Sequence, residues 1–80
     1  MPTILRTRGF RVVIYLPPRE HEPPHVHVWR NGAEAVVELG IAGQKVRGVW
    51  GMRTPDVVTA LWIVENHIDY LLACWRQYHG

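Results

Sequence analysis

The residues best equipped for chemistry lie in one short run, His21-Glu22-Pro23-Pro24-His25-Val26-His27-Val28, which holds three of the chain's five histidines. Imidazole titrates near neutral pH, so it can ligate a metal, meet a phosphate or carry a proton. The two prolines restrict the backbone that leads into His25. If the residues after Pro24 extend as a strand, successive side chains alternate between faces. His25 and His27 then project together from the outer face, while Val26 and Val28 enter the core. Such a pair with a nearby carboxylate suits a divalent transition metal such as zinc, nickel, copper or iron. Without a metal, two imidazoles form an acid–base pair for RNA cleavage, with Arg30 or Arg11 holding the phosphate. A purely structural use is also open: polar residues at a strand start, stacked on Trp29 and paired with Glu34 and Glu38.

The flanking segments decide which partners this run meets. Residues 25–30 read as a strand, Asn31-Gly32 as a two-residue type I′ turn, and residues 33–39 as the returning strand. That turn sets the register. Arg30 stands opposite Ala33, Trp29 opposite Glu34, Val28 opposite Ala35, His27 opposite Val36, Val26 opposite Val37 and His25 opposite Glu38. Opposed residues share a face. Val26, Val28, Ala35 and Val37 therefore make an apolar face, and His25, His27, Trp29, Glu34, Val36 and Glu38 the other. The candidate metal ligands are His21, His25, His27 and Glu38, with Glu34 as a rival. The candidate catalytic residues are His25, His27 and Arg30.

Upstream, residues 10–16 are β-rich, with Phe10, Val12, Ile14 and Leu16 on one side, and Pro17 and Pro18 stop the strand. An edge segment precedes it, and Pro2 is expected to become the mature N-terminus. Residues 40–53 are punctuated by glycine and admit a short strand over 45–50. Thr54-Pro55-Asp56 is a helix start, with Thr54 as the capping hydroxyl, proline in the first turn and an acid beside it. Apolar positions Val57, Leu61, Val64, Ile68, Leu71, Leu72 and Trp75 recur every three or four residues and carry the helix to about Tyr78. A single helix of that span is about 35 Å long, more than a small sheet requires. Trp62, Tyr70 and Cys74 widen its apolar surface beyond one stripe. A second contact is expected there, with another copy of the chain or with a small partner protein.

The expected fold class is α+β: a small antiparallel sheet of three or four strands packed on one long C-terminal helix. At 80 residues, with 48% apolar content and four tryptophans, the chain reads as a single domain, its sheet portion over 1–53 and its helix over 54–79. One cysteine permits no internal disulfide, and no signal peptide opens the sequence, so a cytoplasmic setting is expected. No apolar run long enough to span a membrane is present. The net charge of +2 is uneven: residues 1–53 hold eight Lys/Arg and four Glu (8 − 4 = +4), and residues 54–80 hold Arg76 against Asp56, Glu65 and Asp69 (1 − 3 = −2). Arg6, Arg8, Arg11, Arg47 and Arg53 could meet an RNA backbone, with Trp29 or Trp50 stacking on bases. A solvated basic face is the simpler account of them.

The opening M-P-T-I, the strand G-F-R-V-V-I-Y, the core H-x-P-P-H-x-H, the later E-A-V and the ending H-x-D-x-L-L-x-x-W resemble the domain-of-unknown-function 4160 family. The specific part is His21, Pro23, Pro24, His25 and His27, supported by Glu34, Ala35, His67, Asp69, Leu71, Leu72 and Trp75. The resemblance implies a bacterial protein, often encoded beside a second small protein in a pair suggested to be toxin–antitoxin-like. No activity is established for the family. The chain departs from the pattern in a longer segment over 40–53, and in Tyr70, Ala73 and Cys74 where charged residues are common. The leading expectation is therefore a protein-interaction component of such a module. The alternative is a metal-binding or RNA-cleaving protein centred on His25 and His27.

Overall fold

The structure, a computed structural model, describes residues 3–17, 22–40 and 43–80. Five antiparallel strands follow one another in space as they do in the chain: β1 (Thr3–Thr7), β2 (Phe10–Val13), β3 (His25–Arg30), β4 (Ala33–Glu38) and β5 (Lys45–Trp50). Two helices complete the chain, α1 (Thr54–Asn66) and α2 (Ile68–His79), bent by 78° where they meet. The class is α+β as expected, but three details differ. The sheet has five strands rather than three or four, the C-terminal helix is broken in two, and Thr54 does not cap it. Arg53 takes the capping position with no side-chain bond, and its carbonyl receives the amides of Asp56 and Val57.

The extra strand comes from a turn that sequence signals understate. Arg8 and Gly9 have φ of 53° and 79°, the same left-handed pair that Asn31 and Gly32 adopt at 48° and 80°. Asn-Gly announces such a turn because both residues tolerate positive φ, whereas arginine rarely adopts it. Beyond the turn, Thr7 faces Phe10, Arg6 faces Arg11 and Leu5 faces Val12, before an irregularity shifts the register to Thr3 opposite Val13. The offset lets both Ile4 and Leu5 pack against the core.

Every cross-strand pair expected from Asn31-Gly32 is present between β3 and β4. The register depends on the glycine. Gly32→Ala is expected to cost about 1 kcal/mol through its left-handed backbone alone, since its Cβ would meet nothing within 4 Å. Chemical denaturation of the two proteins checks this.

Alternation along the strands builds one core face. Phe10, Val12, Ile14, Val26, Val28, Ala35 and Val37 join Ala60, Ile63, Val64, Leu71, Cys74 and Trp75 from the helices. Leu16, expected to continue the inner row of β2, is exposed instead. The helix break has a local cause. The Asn66 side chain donates to the Trp62 carbonyl and the His67 ring to the Ile63 carbonyl, each at 2.8 Å. These side chains compete for carbonyls that a continuing helix would bond with backbone amides. His67 leaves the helical region (φ −127°, ψ 22°), and its own carbonyl starts α2 by accepting from Leu71. The bend keeps α2 on the sheet, so Leu71 and Trp75 reach the core. Among the described residues no single helix is long and apolar enough to cross a membrane.

Candidate functional site

Because β3 alternates, its histidines leave the core face, but the two side chains have different fates. His25 is 2% exposed, with its ring 5.1 Å from that of Trp75. Its Nδ1 lies 2.8 Å from the Pro23 carbonyl, which can only accept, so Nδ1 carries the proton. The expectation that His25 stands on an open polar face is corrected: Trp75 of α2 encloses it. His27 is less covered, and its Nδ1 lies 2.6 Å from Glu34 Oε2. A carboxylate accepting at Nδ1 fixes the ring's orientation and makes Nε2 the basic nitrogen.

Three further rings complete the arrangement. Tyr15 meets His27 edge-on at 4.5 Å, His27 lies 5.4 Å from His25, and Trp75 stacks on His79 at 3.7 Å. His79 Nε2 then donates to the Tyr15 carbonyl at 2.9 Å, closing a circuit of Tyr15, His27, His25, Trp75 and His79. Sequence reasoning counted Trp75 as core and passed over Tyr15 and His79. The available signal was the spacing of Trp75 and His79, one helical turn apart.

The other candidates are distributed differently. Glu38 stands opposite His25 as the register requires, but its carboxylate accepts from Arg47 Nε at 3.1 Å. Glu34, the rival, is the carboxylate that meets an imidazole. Arg30 belongs to the core face, where it lies 5.0 Å over the Phe10 ring and pairs with Asp56 of α1 at 3.8 Å. It therefore does not join His25 and His27. Arg11 is on the histidine face, opposite Trp29 and one pair along from His27. His21 and Pro2 lie outside the described residues, and among the described residues no three His, Cys, Asp or Glu side chains converge as a metal site.

The aromatic residues expected at a partner surface flank β1. Trp62 is 45% exposed beneath the Arg8 guanidinium, 4.5 Å from its ring, and Tyr70 is 50% exposed with its hydroxyl donating to the Ile4 carbonyl. Cys74 is buried behind them in the core. Contact with the Cys74 thiol, and then the charge that group can carry, raises the Tyr70 phenol above its ordinary value of 10.0. A raised value favours the neutral phenol in the fold, so this contribution is full below pH 10.0 and is lost as pH rises through the folded value. Tyr70→Phe is expected to flatten the alkaline limb of stability against pH, which a series of thermal melts measures.

No curated protein and no solved structure matches the chain. The family described as Domain of unknown function (DUF4160) matches over residues 9–76, from the Arg8-Gly9 turn to the last turns of α2. That span contains the whole β3–β4 hairpin with its histidines, both helix starts and Trp75, and on this match the chain belongs to the DUF4160 family.

Proposed function

We propose that the chain is the protein-interaction component of a two-gene, toxin–antitoxin-like module, acting in the cytoplasm and docking on a small protein encoded nearby. The observation that carries this reading is the placement of Trp62 and Tyr70. Two large aromatic side chains, from two different helices, stand about half exposed and are both tied to the β1–β2 hairpin, through Arg8 in its turn and Ile4 in its edge strand. Exposed aromatics held in place by polar anchors are the side chains that carry binding energy at interfaces, because little entropy is lost when a partner covers them. Val58, one helical turn before Trp62, is 62% exposed and extends the surface. Size-exclusion chromatography with light scattering, with and without the neighbouring gene product, tests the reading. A shift to a stoichiometric complex that Trp62→Ala/Tyr70→Ala abolishes is the expected result. A chain whose mass ignores its neighbour refutes it.

A second reading rests on the contact between His27 and Glu34. An imidazole oriented by a carboxylate, with Tyr15 against it and Arg11 on the same face, has the parts of a proton-transfer site for a phosphodiester. Its test is the integrity of cellular RNA on overexpression, with His27→Ala as the control. Metal analysis of the purified protein beside a His25→Ala/His27→Ala variant separates a metal-dependent version of this site from a metal-free one.

A further inference from the structure

The face of the sheet that carries His27 has a charge imbalance. Register places Arg6, Arg11, Trp29, Glu34 and Trp50 in one row across all five strands, since each is the cross-strand partner of the next. Opposed residues share a face with their Cβ atoms about 5 Å apart, and like charges so placed repel. Arg6 and Arg11 are such a pair, and among the described residues neither has a carboxylate partner. The nearby acids are engaged elsewhere: Glu34 with His27 and Glu38 with Arg47. Of the other arginines near the sheet, Arg8 lies on Trp62 and Arg30 pairs with Asp56. Arg6 and Arg11 are thus cross-strand neighbours with no carboxylate partner among the described residues.

Trp29 supplies the second observation. It is the next residue in the row after Arg11, and its Nε1 is a buried donor with no acceptor among the described residues. The N–H dipole beside two cations adds to the positive potential at this end of the row. At the far end of the row, Trp50 is 57% exposed and folds its ring over Gly48, where a Cβ would come within 2.6 Å of it. Gly48 faces Val36 on β4, so the Trp50 ring lies on this same face as a flat apolar platform.

We infer that this face binds single-stranded nucleic acid, with Arg6 and Arg11 on successive phosphates and Trp50 stacked on a base. Paired cations that track a backbone, beside an exposed ring that takes any base, are the two parts sequence-tolerant single-strand binding requires. A sheet face is wide enough to lay the strand across. The row crosses four strand intervals, about 19 Å at the usual spacing between neighbours. An acidic protein segment would satisfy the arginines but has no use for Trp50. The inference requires neither the surface around Trp62 and Tyr70 nor any cleavage by His27.

The test is fluorescence anisotropy of labelled oligouridylate and oligothymidylate, across a salt series, with polyglutamate and inorganic phosphate as competitors. Oligothymidylate lacks the 2′-hydroxyl, so its binding is read independently of RNA cleavage. Both oligonucleotides are expected to bind at low salt. Arg6→Ala/Arg11→Ala should weaken binding about tenfold or more and flatten the salt slope by about 1.4, at roughly 0.7 for each phosphate that is no longer neutralised. Trp50→Ala should weaken it about fivefold or more with the slope unchanged. Arg76→Ala, an exposed arginine on α2, should bind as wild type. Thermal melts of each variant confirm that it is folded. Absence of binding at low salt, an Arg6/Arg11 variant with unchanged affinity and slope, or equal competition by polyglutamate or inorganic phosphate overturns the inference.

Discussion

Trp75→Ala is expected to lower the stability of the fold by about 3–5 kcal/mol, the range for removing a large buried aromatic side chain. The indole is 2% exposed, sits among Leu71, Cys74 and the strand residues of the core, stacks on His79 and lies against His25. Its hydrogen bond to Glu22 is long at 3.4 Å and adds little beside the buried area. A domain of this size holds about 4–12 kcal/mol in all, so the loss removes about a quarter of the total or more. Urea denaturation followed by circular dichroism measures the change. Trp75→Phe should recover a large part of it, because a ring remains to fill the space and to pack on His25. If Trp75→Ala costs no more than a surface substitution, the packing of α2 described above is wrong. The same variant is expected to uncover His25, which solvent-accessibility labelling of the imidazole would show as faster modification.

Leu71→Ala is the second large effect, at about 2–5 kcal/mol. Leu71 is fully buried in the core, four residues beyond the bend at His67. Were α1 to run on straight, Leu71 would be carried off the sheet, and its truncation would cost what an exposed position costs. The substitution therefore tests the bend as well as the core. For a domain of this length each kcal/mol shifts Tm by about 4–8 °C, so the variant should melt at least about 8 °C below wild type. Gln77→Ala, an exposed neighbour on the same helix, should stay within about 0.5 kcal/mol. Equal melting temperatures for Leu71→Ala and Gln77→Ala would contradict the docking of α2.

The hairpin of β3 and β4 was legible in the sequence because its determinants are local. Asn31 and Gly32 specify a two-residue turn, and a two-residue turn leaves one register open to alternating strands. The β1–β2 hairpin uses the same geometry but hides it, since Arg8 occupies a backbone region that arginine seldom takes. The helix break was hidden for a different reason. The apolar spacing continues through Asn66 and His67 without a phase change, and what ends α1 is a pair of side-chain bonds to carbonyls that periodicity does not register. Glu34 and Glu38 were both placed on the histidine face by register. Which of them meets an imidazole depends on Arg47 drawing Glu38 away, a side-chain competition that register leaves open. Burial of His25 follows from α2 turning back, so it could not be read before the bend was known.

The order of the strands also bears on how the molecule comes together. Each strand pairs with its neighbour in the chain, so the sheet can form from short hairpins whose ends meet on a timescale of about microseconds. The ties from α2 are of another kind: Tyr70 reaches back 66 residues to Ile4, and His79 reaches back 64 to Tyr15. Contacts of such separation carry the larger loop-closure cost and are expected to form late. Hydrogen exchange during refolding should therefore protect the β3–β4 amides before those of α2. A nascent or partly unfolded chain then displays a finished sheet with an unfinished histidine cluster, and docking of the last helix both completes the fold and encloses His25.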